Sequence, residues 1–290
     1  EVVRTSPRHR PTRPMLSVVA ATVRCGVARA RHAARSADSA RRAYAYSPTF
    51  VSGVSLPLPT VSNVDTKLIH HPHFSLRFDT RRRIAMVAAA NVKSHQRSLP
   101  SRDYDFDDSV EEYEQYDNVW YAGGDADPFD KGHMVRRMTV GWGRQGRAAA
   151  RASDLWTNIA PHHSRFHNDE WRTVEGAILR LLKSRAHGGK ASVFTGAYFD
   201  DAKKIFDDKH GVRNSPKRQV PNAYWKAIVY KDKHTNATRD VYFWVPHDAS
   251  TWDYDNEDAT VDGHGNVASN MKEERDVIAT RAGVQFDGWP

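Results

Sequence analysis

Two stretches of the chain concentrate side chains that can move protons and hold anions. The first is Asp130-Lys131-Gly132-His133, entered through Phe129 and followed by Arg136 and Arg137. The second opens 25 residues after His133 with Asn158 and runs through Pro161, His162, His163, Arg165, His167, Asn168, Trp171 and Glu175. A neutral imidazole, with an ordinary pKa of about 6.5, can take a proton from water at physiological pH. Gly132, just before that histidine, permits a backbone kink that aims the ring. Lysine and arginine neutralise phosphate charge, and a divalent cation held by few side chains and several waters can bind the phosphate and leaving oxygens together. The set therefore suits phosphodiester hydrolysis, which needs an activated water, a neutralised phosphate and help for the leaving oxygen.

With their spacing, these segments resemble the DNA/RNA non-specific endonucleases with a ββα-metal finger, a family that includes mitochondrial endonuclease G and secreted bacterial nucleases. The family pattern is Asp-Arg-Gly-His, then Asn-x-x-Pro-Gln, a second Asn, a Trp and a Glu. Asn158, Pro161, position 167, Trp171 and Glu175 hold its spacing here. Phe194-Thr195-Gly196, the Pro221–Lys226 stretch and the closing Asp276–Phe286 segment look like further family elements, so the resemblance covers roughly 75–288. It implies an α+β fold with a mixed or antiparallel sheet core and a ββα-metal finger. It also implies a metal-dependent endonuclease acting on DNA and RNA with one divalent cation, Mg²⁺ or Mn²⁺, and brings a homodimer within expectation. By the same resemblance His133 is the general base, position 167 the direct metal ligand, Glu175 the holder of metal-bound waters and Asn158 a site residue. An arginine five residues before an aspartate is expected to face the phosphate. Arg102 and Asp107 repeat that step, with Arg97 the competing candidate.

The sequence departs from the pattern at three places. Lys131 stands where the family has arginine, which keeps the charge and loses the bidentate fork. His162 replaces the glutamine after Pro161, and His167 replaces the metal-binding asparagine, with Asn168 next to it. Two readings of the ligand stay open. His167 binds directly, moving preference from Mg²⁺ toward Mn²⁺, Co²⁺, Ni²⁺ or Zn²⁺, or a one-residue shift lets Asn168 coordinate. The unbroken steps from position 167 to Trp171 and Glu175 favour His167. Each residue also has an ordinary use: Asn158 as a backbone clamp in a turn, Asn168 as a helix cap. The histidines lack cysteines or further ligands for structural zinc. The departures also keep a second function in view, a catalytically degenerate homologue that binds nucleic acid or a protein partner.

These residues need a scaffold. The runs 83–92, 192–199, 224–232 and 240–245 are apolar, β-branched or aromatic and predict strands. Trp171, Val174, Ile178, Leu181 and Leu182 fall at helical spacing and predict a helix over 171–184, capped by Asn168 or Asp169. Leu155–Ile159 predicts the strand that leads into the ligand turn. The His70–His73 run and the acidic stretch Asp103–Asp117 read as surface loops.

Residues 1–43 read as a basic leader or disordered arm, 44–68 as a linker, and 69–290 as the endonuclease domain. The leader resembles an organellar transit peptide more than a secretory signal, so a mitochondrial address ranks ahead of a secreted or periplasmic one. Its first 42 residues hold ten arginines and two acids. Subtracting these from the 43 basic and 35 acidic residues of the chain leaves 33 of each, so the whole net charge of +8 belongs to the leader. A globally basic surface cannot be the reason this chain binds nucleic acid. No apolar run approaches the roughly 18–20 residues needed for a membrane span. The single cysteine, Cys25, lies in the leader, which excludes a thiolate metal site in the domain.

Overall fold

The computed structural model describes residues 44–95, 99–121, 129–202, 205–207, 218–247 and 272–290. The expected leader over 1–43, with Cys25, and the alternative arginine Arg97 lie outside the described residues. The compact unit runs from Tyr44 to Pro290 and is α+β.

Its centre is a seven-stranded antiparallel sheet. In chain order the strands are β1 (Lys67–His71), β2 (Phe74–Asp79), β3 (Ile84–Lys93), β6 (Ala186–Tyr198), β7 (Ala223–Asp232), β8 (Thr238–Pro246) and β9 (Lys272–Glu273). Their spatial order is β9-β8-β7-β6-β3-β2-β1. Outside the sheet, β4 (Phe129–His133) and β5 (Ile159–His163) form a two-stranded antiparallel ribbon. Between them lie the short helices α1 (Arg137–Val140) and α2 (Gly146–Ala152). After β5 the chain makes one helical turn (Ser164–Phe166), one π-type turn (His167–Trp171) and then α3 (Arg172–Ser184). Helix α4 (Arg275–Ala282) closes the chain and stops at Gly283, whose φ of 60° is the left-handed cap that glycine adopts without strain.

The central strands are buried on both faces because both faces are covered. Ala88, Ala90 and Val92 of β3 pack with Val174, Ile178 and Leu182 of α3, while the alternate residues Val87 and Ala89 pack with Ile278 of α4. Each fully buried aliphatic side chain contributes on the order of 1.5–3 kcal/mol, which is what holds α3 on the sheet. The two family-like segments turn out to be register partners. Gly196 of β6 pairs with Trp225 of β7, and Thr195 pairs with Lys226. A Cβ at Gly196 would lie 2.2 Å from the Trp225 ring, so glycine is demanded there by space.

The structure differs from expectation in four places. The segment 44–68, with its prolines and serines, covers the second face of the sheet. Leu56 is fully buried, Tyr46 packs edge-on against Phe194, and Thr60–Val61 pairs with Val284–Gln285. The His70–His73 run is the end and turn of the β1–β2 hairpin, with His71 and His73 buried. Leu155–Ile159 is mostly a tight turn (Trp156–Asn158), and the strand starts at Ile159. Within the acidic stretch 103–117, Asp107, Val110, Gln115 and Tyr116 are buried.

Asp107 is the anchor of that last segment. Its Oδ2 accepts from Thr157 Oγ1 at 2.7 Å and lies 3.0 Å from His71 Nε2, and its Oδ1 accepts from the Ser109 N–H. Burial pushes the carboxyl upward, but His71, Thr157 and the Ser109 amide outweigh it and hold Asp107 below the usual carboxylate range. A depressed folded pKa gives stability that is present above the unfolded value, about 3.9, and is lost as pH falls below it. Asp107→Asn is therefore expected to cost about 3 kcal/mol in urea unfolding at neutral pH and to flatten the fall in stability below pH ~4. An unchanged acid limb would show that the anchor lies elsewhere.

Candidate active site

The ribbon and the start of α3 bring the expected residues together. Arg102, Lys131, His133, His167, Asn168 and Glu175 all line one open cleft of ≈ 820 Å³. Asn158 does not reach it. Its buried side chain accepts from the Val135 N–H at 3.0 Å and donates to the carbonyls of Val135 and Ser153 at 3.1 and 2.8 Å. Asn158 thus clamps the chain leaving β4 to the turn before β5, and its place is behind the site.

His133 ends β4 with its ring at the cleft and its Nε2 3.1 Å from Oδ1 of Asp154. Asp154 is buried, and its Oδ2 accepts from Arg137 Nε at 2.9 Å. The Arg137 guanidinium also donates to the carbonyls of Pro100 and Ser101, which ties down the segment that carries Arg102. A carboxylate paired with a guanidinium has only lone pairs to offer. The imidazole must therefore donate from Nε2, leaving Nδ1 as its proton acceptor. No sequence spacing announces Asp154. A buried acid near a candidate base is visible only once the turn at 153–158 is folded.

Glu175 projects from the first turn of α3 between two cations. Its Oε2 accepts from Arg136 at 3.0 Å and its Oε1 lies 3.5 Å from Lys226 Nζ. Lys226 is buried, donates to Thr195 Oγ1 at 3.0 Å and sits 4.3 Å over the Trp171 ring. Burial lowers the ammonium's pKa and the Glu175 charge opposes that shift. The strand motif Thr195/Lys226 thus reaches the cleft through Glu175, a connection invisible in the sequence.

Lys131 donates to Asn118 Oδ1 at 2.7 Å and lies 4.7 Å over the Tyr104 ring, on the same wall as the exposed Arg102. His167 lies in the π-type turn, a wide helical turn often found at functional positions. Its Nδ1 is 3.1 Å from Nδ1 of His162. Burial lowers the pKa of both rings, His162 the more strongly, so both are held neutral. His162 is fully buried among Phe166, Trp171 and Tyr224. Asn168 is exposed, lies within the helical turns and returns its Nδ2 to the Ser164 carbonyl at 2.8 Å, so it is not the cap of α3.

Gly132 has a different reason from the one expected. Its φ is not left-handed, and a Cβ there would sit 2.2 Å from the His162 ring. Glycine is required because the imidazole lies against its backbone. Gly132→Ala is expected to destabilise the fold by about 1–3 kcal/mol in urea unfolding, with Gly132→Ala/His162→Ala losing less than the sum of the two single variants. Additive losses would break the assigned packing.

Comparisons with known proteins bear on the family and the fold. A sequence profile of the DNA/RNA non-specific endonuclease family matches residues 57–285. The uncharacterized protein y4fB of Sinorhizobium fredii is 28% identical over 249 residues, which cover 76% of this chain and 35% of that protein. This chain therefore spans about a third of that relative's length. A chain in the crystal structure of the EndoG/EndoGI complex, solved to describe EndoG inhibition, superposes with a TM-score of 0.58 at 19% identity. The match covers 76% of this chain and 84% of that one and is a likeness of fold. With more than half of its length matched by the family profile, the chain belongs to the DNA/RNA non-specific endonuclease family.

Proposed function

We propose that this protein is a metal-dependent, sugar-non-specific endonuclease that hydrolyses phosphodiester bonds in DNA and RNA. The observation that carries the reading is His133, held through Nε2 by a buried carboxylate at the mouth of a cleft rich in arginine and lysine. In this reading Nδ1 of His133 takes the proton of the attacking water. Arg102 and Lys131 neutralise the phosphate, while Arg137 and Arg136 are committed to Asp154 and Glu175. Contacts of this kind carry no base identity, which fits cleavage with little sequence preference.

The residues fit one divalent cation held mainly through water. Among the described residues no three His, Cys, Asp or Glu side chains converge as a metal cage. His167 is the stronger of the two ligand candidates, because His162 occupies its Nδ1 and fixes the ring at the cleft wall. With the Nδ1 proton donated to His162, Nε2 of His167 carries the free lone pair that a ligand needs. Glu175, fixed by Arg136 and Lys226, would orient water around the ion. When bound, the cation supplies charge stabilisation at the phosphate and the leaving oxygen.

Nicking of supercoiled plasmid with Mg²⁺, Mn²⁺ or Co²⁺ tests this. EDTA should abolish cutting and His133→Ala should slow it by about 10²–10⁴-fold. EDTA-resistant cutting, or full activity without the imidazole, would sink the proposal. His167→Asn should move the metal preference toward Mg²⁺, and an unchanged metal profile would count against His167 as the ligand.

A further inference from the structure

A second open groove, of ≈ 980 Å³, adjoins the cleft and shares Arg136, Asn168 and Arg172 with it. It continues along α3 past Gly176 to Arg180. Arg172, Gly176 and Arg180 stand four residues apart, so they form one line on the helix surface. Both arginines are exposed, and Gly176 between them leaves the helix bare. A Cβ there would meet nothing closer than the Arg180 guanidinium, at 3.5 Å. Among the described residues Asp169 is the one acid on the groove's lining. The charge of this track is local, since the chain beyond the leader carries 33 basic and 33 acidic residues.

We propose that this groove is a phosphate track that holds the nucleic-acid backbone on one side of the cut bond. The inference rests on the nuclease reading of the adjoining cleft and adds where the strand runs. From Arg172 to Arg180 the helix rises about 12 Å, against a strand charge every ~3.4 Å of duplex axis, so the two guanidinium groups can meet different phosphates. The bare surface at Gly176 lets the backbone approach the helix between them.

Binding of a fluorescein-labelled 20-mer duplex by the full chain in EDTA, titrated against salt, tests the track apart from cutting. Arg172→Ala/Arg180→Ala should weaken binding about tenfold for any sequence and lower the salt slope by about two, one for each phosphate that is no longer neutralised. Gly176→Glu, which places a carboxylate between the arginines and favours the helix, should weaken binding in the same direction. Arg281→Ala, on the opposite face of the sheet, should leave the slope as it is. An unchanged slope in the double variant, or a wild-type chain with no salt-dependent binding, would overturn the track. So would a double variant that loses binding to phosphatidylserine vesicles alone and keeps its hold on the duplex. Salt-dependent binding that falls in the double variant, combined with absent metal-dependent cutting by the wild type, would keep the track and overturn the catalytic reading alone.

Discussion

A carboxylate buried in a protein destabilises the fold unless it is paired with a cation or a hydrogen-bond donor. Asp154 meets that demand with His133 on one oxygen and Arg137 on the other. The same pairings tie three separate pieces of chain together: the stretch from His133 to Arg137, the turn that carries Asp154 and, through Arg137, the carbonyls at Pro100 and Ser101. In the proposed mechanism, stability and chemistry are therefore set by one cluster. The arrangement that satisfies Asp154 also selects which nitrogen of His133 is left to accept a proton.

A second cluster joins the cleft to the sheet. Lys226 is buried in the inner strand β7, where its ammonium needs Thr195, the face of Trp171 and the charge of Glu175. Any displacement of α3 along the sheet would pull Glu175 from Lys226 and Arg136 together. On the ribbon side His162 fills the space above Gly132 and holds His167. Changes at 132, 162 and 167 are thus packed against one another. A histidine after Pro161 and a histidine at 167 form a hydrogen-bonded pair, so the two departures from the family pattern belong together.

The large features were legible because they rest on periodicity. The apolar runs at 83–92 and 224–232 and the helical spacing from Trp171 to Leu182 lie within one or two residues of β3, β7 and α3. Six of the seven expected site residues share one cleft because their spacing carries a known local structure. What was hidden depends on partners distant in sequence. Prolines and serines made 44–68 look like a linker, yet the sheet's second apolar face needs a cover and Leu56 and Tyr46 supply it. Histidines and a proline disguised the β1–β2 hairpin, although Phe74, Leu76 and Phe78 alternate with the polar Ser75, Arg77 and Asp79 at strand period. Asn158 carried the right spacing and serves as a backbone clamp. Asp154 and Arg137 carried no spacing signal, because their meaning comes from a contact across 17 residues.

In the proposed mechanism Asp154 makes His133 a base by fixing its orientation and tautomer. The direct measurement is the steady-state cleavage of DNA by Asp154→Asn over a range of pH, with circular dichroism to establish that the variant is folded. With this role for Asp154, kcat falls by about 10–100-fold at every pH while KM stays close to the wild-type value, because the amide keeps the shape and loses the charge that sets the imidazole. A folded variant with wild-type kcat would contradict it.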